Sequence, residues 1–170
     1  KTDVTIEALA KEGIWIKEIP AQTYTGKAIK PEVQVYDYAK PLTLKKDYTV
    51  SYKNNTNAGK AEVLIKGKGN YAQTITGNFT IQPKQISELE ITAADYLIYN
   101  GKEQNISVTV KDGRKKLSAK KDYTQTITYV PDAAAQGTEV QKAKEAGLYN
   151  IKIAMKGNYE GEVKIPCKVM

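Results

Sequence analysis

Lys45-Lys46-Asp47-Tyr48-Thr49 returns unchanged as Lys120-Lys121-Asp122-Tyr123-Thr124, at a spacing of 75 residues. Residues upstream of this stretch repeat at the same spacing, as Tyr24 and Tyr99 do. Downstream the spacing grows to 88 residues, so the second copy contains 13 additional residues. A long internal repeat indicates that one small folding unit occurs twice in the chain.

Two domains are therefore predicted, at residues 14–84 and 85–170, each with the size of a small single-core unit. The additional residues fall in an insertion assigned to residues 130–145 of the second domain. Residues 1–13 have no counterpart in the repeat, and we interpret them as the end of an upstream module or as an entry segment. Because the chain starts at Lys1 without a methionine, we interpret it as an excerpt of a longer protein. A short connector is predicted at residues 82–87.

Apolar and polar residues alternate through both copies, as Ala61, Val63 and Ile65 do with their polar neighbours. The closing strands show the same pattern, with predicted inward positions at Ile75, Gly77, Phe79 and Ile81 and at Val163, Ile165, Cys167 and Val169. A period of two is typical of antiparallel strands with one solvated face. The fold is therefore predicted to be all-β, with a small antiparallel β-sandwich in each half and β-grasp-like modules as the alternative.

Three local predictions go beyond this repeating pattern. Asn100-Gly101 is a strong signal for a two-residue hairpin turn, because both central residues of a type I′ turn have positive φ. Thr138 to Ala146 is the one helix candidate, a short helix within the insertion. Trp15 is expected on an outward face, since its equivalent in the second copy is Glu90.

The charge balance limits the class of partner. The chain has 26 basic and 19 acidic residues and a net charge of +7. Arg114 is its only arginine, whereas nucleic-acid readers favour arginine for bidentate contacts. Nucleic acid is therefore not an expected partner, and the lysines are interpreted as a solvated surface or as an attraction for anionic polymers.

The sequence lacks the residue type on which many catalytic and metal sites depend, whereas a carboxylate pair for glycoside hydrolysis would be seen only in three dimensions. The chain contains no histidine, which excludes Ser-His-Asp and Cys-His systems and the usual zinc sites. No phosphate-binding glycine loop or EF-hand spacing occurs. We therefore predict no catalytic, cofactor-binding or metal-binding residues, and no cofactor.

Individual polar and reactive residues are interpreted as parts of the fold. Asp47 and Asp122 occupy equivalent places in the two copies, as a fold determinant would, and are predicted to accept hydrogen bonds from nearby backbone N–H groups. Cys167 is the only cysteine, so no disulfide forms within the chain. Its equivalent is Phe79, which predicts a small buried apolar side chain rather than a reactive thiol.

The aromatic residues are dominated by tyrosine, with 12 tyrosines against one tryptophan and one phenylalanine. A tyrosine can bury its ring in a thin core while its hydroxyl remains in water. A sugar-stacking or partner-binding face is the functional alternative. Its candidate residues are Trp15, Tyr36 and Tyr38, because none of them matches an aromatic residue in the other copy.

The motifs of this chain resemble the tandem Ig-like repeats of large cell-surface proteins of Gram-positive Firmicutes. These motifs are the Tyr-Thr-Gly-Lys turn at residues 24–27, the run at 47–55, Ala-Gly at 58–59, Gly-Asn-Tyr at 69–71 and the strand that ends at Ile81. The resemblance covers residues 14–81 well and 88–170 in outline, and it stops at the insertion. It implies that both sandwiches are Ig-like modules.

Repeats of this kind form stalks and adhesive arrays that are exported and attached to the cell wall, and they have no assigned catalytic residues. The resemblance therefore implies a non-enzymatic structural spacer at the cell surface, with an extracellular location. An adhesive module that binds carbohydrate or wall polymer is the alternative function. The expected partners are neighbouring modules of the same longer chain and an anionic or glycan polymer; a monomer without membrane insertion is expected.

Overall fold

The computed structural model describes residues 13–132 and 136–170 and divides the chain into two compact units after Gln82. Regular structure in the described residues is almost entirely β, with a single 3₁₀ turn at Ile86–Glu88. The all-β prediction is confirmed. The predicted entry segment, apart from Gly13, lies outside the described residues, and so does the Ala-rich part of the insertion at 133–135.

The first unit, as far as it is described, has seven strands in two sheets. They are β1 (Ile14–Ile16), β2 (Gln22–Thr23), β3 (Val35–Asp37), β4 (Lys40–Pro41), β5 (Tyr48–Lys53), β6 (Gly59–Gly67) and β7 (Thr74–Gln82). One sheet has the order β1-β3-β4 and the other the order β2-β7-β6-β5. The sheets come close together where Ile16 meets Gly77, at which a Cβ atom would lie 2.9 Å from Ile16 Cδ1.

The second unit repeats this plan with additional strands. They are β8 (Lys84–Gln85), β9 (Glu90–Ala93), β10 (Tyr96–Leu97), β11 (Val108–Asp112), β12 (Lys115–Lys116), β13 (Tyr123–Val130), β14 (Thr138–Val140), β15 (Gly147–Met155), β16 (Tyr159–Glu160) and β17 (Glu162–Val169). Its sheets have the orders β12-β11-β9, β10-β17-β15-β13-β14 and β16-β8. Residues 83–87 of the predicted connector are therefore part of this unit, because β8 pairs with β16, whereas Gln82 ends β7 in the first unit.

Equivalent residues occupy equivalent positions in the strand pairing of the two units. Tyr48 pairs with Gly67 as Tyr123 does with Met155, which reproduces the sequence spacings of 75 and 88 residues. The closing strands agree as well, since Gly59 pairs with Ile81 as Gly147 does with Val169. The repeated sequence pattern thus specifies the same register twice.

The core of each unit comes from the predicted alternation. Ala61, Val63 and Ile65 are buried in β6, and Ile151 and Ile153 are buried at the equivalent places in β15. Their neighbours on the other face of β6 are exposed, which is the pattern of a sheet with one solvated side. Two sheets that enclose such a core form a β-sandwich, so the β-grasp alternative, in which a helix packs on one sheet, is wrong.

The structure corrects three expectations about local geometry. The sandwiches are not purely antiparallel, because β2 runs parallel to β7 and β10 runs parallel to β17. The predicted helix from Thr138 does not form, and Thr138–Val140 is a strand instead. The predicted hairpin at Asn100-Gly101 is also wrong: only Gly101 has positive φ, and the Asn100 side chain accepts a hydrogen bond from the Lys102 N–H at 2.8 Å.

Candidate functional site

The repeated Lys-Lys-Asp-Tyr-Thr stretch forms the same closed loop in both units. Asp47 Oδ2 accepts a hydrogen bond from the Thr43 N–H at 2.7 Å, and the Asp47 N–H donates to the Thr43 carbonyl at 2.8 Å. Asp122 makes the same pair of bonds with Ser118, at 2.8 and 2.9 Å. Both aspartates are therefore backbone acceptors, as predicted, and both carboxylates are used in holding the chain.

In each unit the same loop also bonds to the turn that follows β6 or β15. The Asp47 carbonyl accepts from the Lys68 N–H at 2.9 Å, and the Asp122 carbonyl accepts from the Lys156 N–H at 2.9 Å. Lys45 and Lys120 have φ of 72° and 77°, a left-handed conformation that few non-glycine residues adopt. A single residue with left-handed φ lets the chain turn directly into β5 and β13.

A second carboxylate contact recurs as well. The Tyr71 hydroxyl donates to Asp37 Oδ2 at 3.1 Å, and the equivalent Tyr159 hydroxyl donates to Asp112 Oδ2 at 3.0 Å. In the second unit Lys84 Nζ also lies 2.6 Å from Asp112 Oδ1. Desolvation by burial would raise the pKa of Asp112, but the hydrogen bonds from Lys84 and Tyr159 outweigh it and lower that pKa.

The three aromatic candidates lie together, and Trp15, on the face of β1 opposite Ile16, is buried rather than exposed. The residue is only 8% exposed, and its ring stacks on Tyr36 with centroids 4.8 Å apart. The indole N–H donates to the Tyr38 carbonyl at 2.7 Å, which fixes the turn between β3 and β4. Trp15 pairs with Tyr36 where the second unit pairs Glu90 with Lys111, so an aromatic pair takes the place of two opposite charges.

Tyr38 is the aromatic residue of this group that faces solvent. Its side chain is 59% exposed, and its φ of 53° is left-handed. The equivalent residue in the second unit is Gly113, which also has positive φ. A tyrosine here carries a strain of about 1 kcal/mol that glycine avoids, so the shared fold does not account for the aromatic ring.

The described part of the insertion adds a strand to the sheet. Its residues Thr138–Val140 form β14, which pairs antiparallel with the end of β13. The buried Ala143 exchanges two backbone hydrogen bonds with Gln104, at 2.7 and 2.9 Å. In the first unit Asn55 and Ile29 are the corresponding pair, so Ala143 belongs to the shared fold and the additional residues end before it.

Two tyrosines attach the insertion to the sheet. The Tyr129 and Tyr149 rings stack with centroids 4.8 Å apart. The Tyr129 hydroxyl donates to the Ala146 carbonyl at 2.8 Å, and the Tyr149 hydroxyl donates to the Glu145 carbonyl at 2.9 Å. These contacts fix the return of the insertion into β15.

Cys167 is fully buried in β17, as the alternation predicted. Burial, followed by the nearby Asp95 carboxylate, raises the pKa of its thiol. A thiol held in its neutral form is a poor nucleophile, which agrees with a role in packing.

An open groove of about 470 Å³ lies beside β5 in the first unit. Its apolar lining includes Val33, Leu44, Val50 and Tyr52, and Lys30, Glu32 and Lys45 contribute the charged lining. Burial, followed by the Glu32 carboxylate, raises the pKa of Tyr48 at the base of this groove. Sequence reasoning missed the groove, because its walls come from separate segments of the chain.

Residues 13–132 and 136–170 contain no cluster of three His, Cys, Asp or Glu side chains arranged to hold a metal ion. The same residues contain no helix with the length and apolar character needed to cross a membrane. The chain matches no protein-family model. Comparison with curated proteins gives no significant match.

Proposed function

We propose that the chain is a pair of non-enzymatic, Ig-like stalk modules of a bacterial cell-surface protein. The observation that carries this proposal is the parallel pairing of a short early strand of each unit, β2 or β10, with the last strand of that unit, β7 or β17. Such modules would hold a remote part of the protein away from the wall, and they would be stretched along the chain.

The two parallel strand pairs have the geometry that resists stretching. In the second unit, the Lys168 N–H donates to the Asp95 carbonyl at 3.1 Å, and the Met170 N–H donates to the Leu97 carbonyl at 3.0 Å. The Tyr99 N–H then donates to the Met170 carbonyl at 2.7 Å. Pulling on the two ends of parallel strands loads these bonds at the same time, in shear, rather than breaking them one after another.

The first unit has the same arrangement. Gln22 and Thr23 pair in parallel with Ile81 and Gln82, and the Tyr24 N–H donates to the Gln82 carbonyl at 2.9 Å. The repeated aspartates support the proposal too, because the side chains that the two copies share are used to hold strands together. A stalk needs stable modules more than it needs a reactive site.

Single-molecule stretching of the whole chain between handles at its ends tests the proposal. Two unfolding steps are expected, with length gains of at most about 240 Å and about 300 Å for the first and second units at roughly 3.4 Å per residue. Tyr99→Pro removes one donor from the shear pair and should lower the force of the longer step only. Tyr99→Ala keeps the N–H and is the matched control.

A second pair of attachment points, at which the strands separate one bond at a time, provides the comparison for the unfolding force. Thr49 and Lys66 are partners on neighbouring antiparallel strands, so handles attached to these two residues separate the strands one bond at a time. Unfolding from the chain ends should require a higher force than unfolding from this pair. Equal forces in the two geometries would contradict a force-resisting stalk.

An adhesive module that binds carbohydrate or wall polymer is the second candidate, and the exposed, strained Tyr38 is the observation that favours it. Binding of the whole chain to immobilised glycans and anionic wall polymers should then fall at least about tenfold in Tyr38→Gly, about 1.4 kcal/mol of binding free energy. Tyr96→Gly, which removes an exposed tyrosine from the second unit, is the control. Binding that does not depend on Tyr38 would remove this candidate.

A further inference from the structure

The outer edge of β5 has no neighbouring strand among the described residues, whereas the equivalent edge in the second unit has one. β5 ends its sheet in the order β2-β7-β6-β5. In the second unit β14 continues the sheet beyond β13, with Ile127 opposite Val140 and Thr128 opposite Glu139. The two units therefore differ at one sheet edge, and the second unit shows what covers such an edge.

The backbone of β5 is arranged to accept a strand. The Tyr48 carbonyl points away from β6, since it accepts a hydrogen bond from the Lys45 N–H at 2.8 Å. Alternation along an antiparallel strand then directs the N–H and C=O groups of Val50 and Tyr52 to the same outer side. Within the described ranges, no backbone hydrogen bond reaches these two residues from outside the sheet. An edge with such groups is a template for another strand.

The groove beside this edge offers space for side chains. Leu44 is 50% exposed on its rim, and Val50 and Tyr52 line it. The equivalents of Leu44, Val50 and Tyr52 in the second unit are Ala119, Gln125 and Ile127. The second unit therefore has a smaller side chain in place of Leu44 and a polar one in place of Val50, so these two apolar groups are not required by the fold that the two units share.

We propose that β5 binds an extended segment of a partner polypeptide as an additional antiparallel strand. By equivalence with β14, the residue opposite Tyr52 corresponds to Val140 and the residue opposite Lys53 corresponds to Glu139. The partner segment therefore carries an apolar residue opposite Tyr52 and a carboxylate opposite Lys53. Main-chain bonds give such a complex its affinity, and the groove gives it selectivity.

The charge at this edge favours a carboxylate on the partner segment. Lys30 and Lys45 line the groove, and Glu32 is the one carboxylate among its lining residues. Lys53 is exposed at the end of the strand, where Thr128 stands in the second unit. This interaction surface is independent of the proposed stalk function, since it requires only the edge and groove of the first unit.

The probe is a synthetic peptide that copies residues 136–142, the segment that contains β14. Titrated into the isotope-labelled whole chain, it should shift the backbone amide signals of Val50 and Tyr52 and slow their hydrogen exchange, with saturation below about 1 mM. No change at these amides would overturn the proposal. Protection of the same amides in the absence of peptide, together with dimerisation, would overturn it as well, because the occupant would then be a second copy.

Variants separate strand addition from nonspecific binding. Lys53→Glu should weaken peptide binding at least about fivefold, and a peptide that carries lysine in place of Glu139 should recover that loss. Val50→Pro removes an outward N–H group and should abolish binding, whereas Gln125→Pro at the equivalent place in the second unit should not change it. Binding that survives both Lys53→Glu and Val50→Pro would contradict the proposal.

Discussion

At the scale of single residues, Asp47 and Asp122 make the same bonds but differ in their contact with water. Asp122 is 6% exposed, whereas Asp47 is half-buried. A backbone N–H that loses its acceptor costs more free energy where water cannot replace that acceptor. Identical motifs therefore need not contribute equally to stability.

Asp122→Ala is expected to destabilise the second unit by about 1–3 kcal/mol, because it leaves the Ser118 N–H without its acceptor. Asp47→Ala is the matched variant and should cost less, since water reaches the Thr43 N–H more readily. Urea denaturation of the whole chain followed by a probe in each unit measures both. A larger loss of unfolding free energy for Asp47→Ala than for Asp122→Ala would show that the exposure of the aspartate does not control the destabilisation.

Asp112 gives the second unit a pH-dependent contribution to stability. The pKa of Asp112 is lowered in the folded state, so the ionised carboxylate stabilises the fold. This contribution is fully present above the ordinary carboxyl pKa of about 3.9 and is lost as the pH falls through the lowered pKa. The group is partly solvated, so this contribution should be below about 1 kcal/mol. Unfolding free energies of the parent and Asp112→Asn should differ at pH 7 and converge in acid; a constant difference would contradict the linkage.

At the scale of elements, the described part of the insertion contains a strand that extends the sheet, and the boundaries of the insertion follow from the register. Tyr52 is equivalent to Ile127, and Asn55 is equivalent to Ala143, so the residues to replace are 128–145 rather than 130–145. The predicted insertion started two residues too late in the sequence. Tyr129 has the same residue type as Tyr52, but the residue that takes the place of Tyr52 in the strand pairing is Ile127.

Replacing residues 128–145 with Lys53-Asn54-Asn55-Thr56-Asn57 should leave the second unit folded, with a melting temperature within several degrees of the parent. The grafted asparagine would restore the partner of Gln104, while the loss of β14 exposes an edge that water can solvate. The same graft over residues 130–145 alone is the control. It should be less stable, because it leaves two more residues between Ile127 and the grafted asparagine. Unfolding of the second unit in both grafts would show that β14 is part of the core.

At the scale of the whole molecule, each unit builds its sheets from its own strands. All strands that pair within the second unit lie between Lys84 and Val169. The isolated segment 83–170 should therefore fold alone and unfold in one cooperative transition, as small domains do. Circular dichroism and thermal unfolding of this segment measure it, and a disordered spectrum would contradict the division after Gln82.

Much of the fold follows from the sequence, because alternation and repetition are local signals. Val63 and Ile65, like Ile151 and Ile153, were predicted to be buried from their spacing, since successive side chains of a strand point to opposite faces. The roles of Asp47 and Asp122 also followed from sequence, because each bonds to a residue only four positions away. Fold class, repeat and loop contacts were thus encoded within short stretches.

Only the tertiary structure decided which surfaces are covered. Trp15 is buried by stacking on Tyr36, which lies 21 residues away, and no periodicity predicts that contact. Thr138 to Ala146 has the composition of a short helix, but pairing with β13 gives its backbone better partners than an isolated helix of about two turns could. The open edge of β5 and the groove beside it arise in the same way, because sheet edges depend on contacts between distant strands.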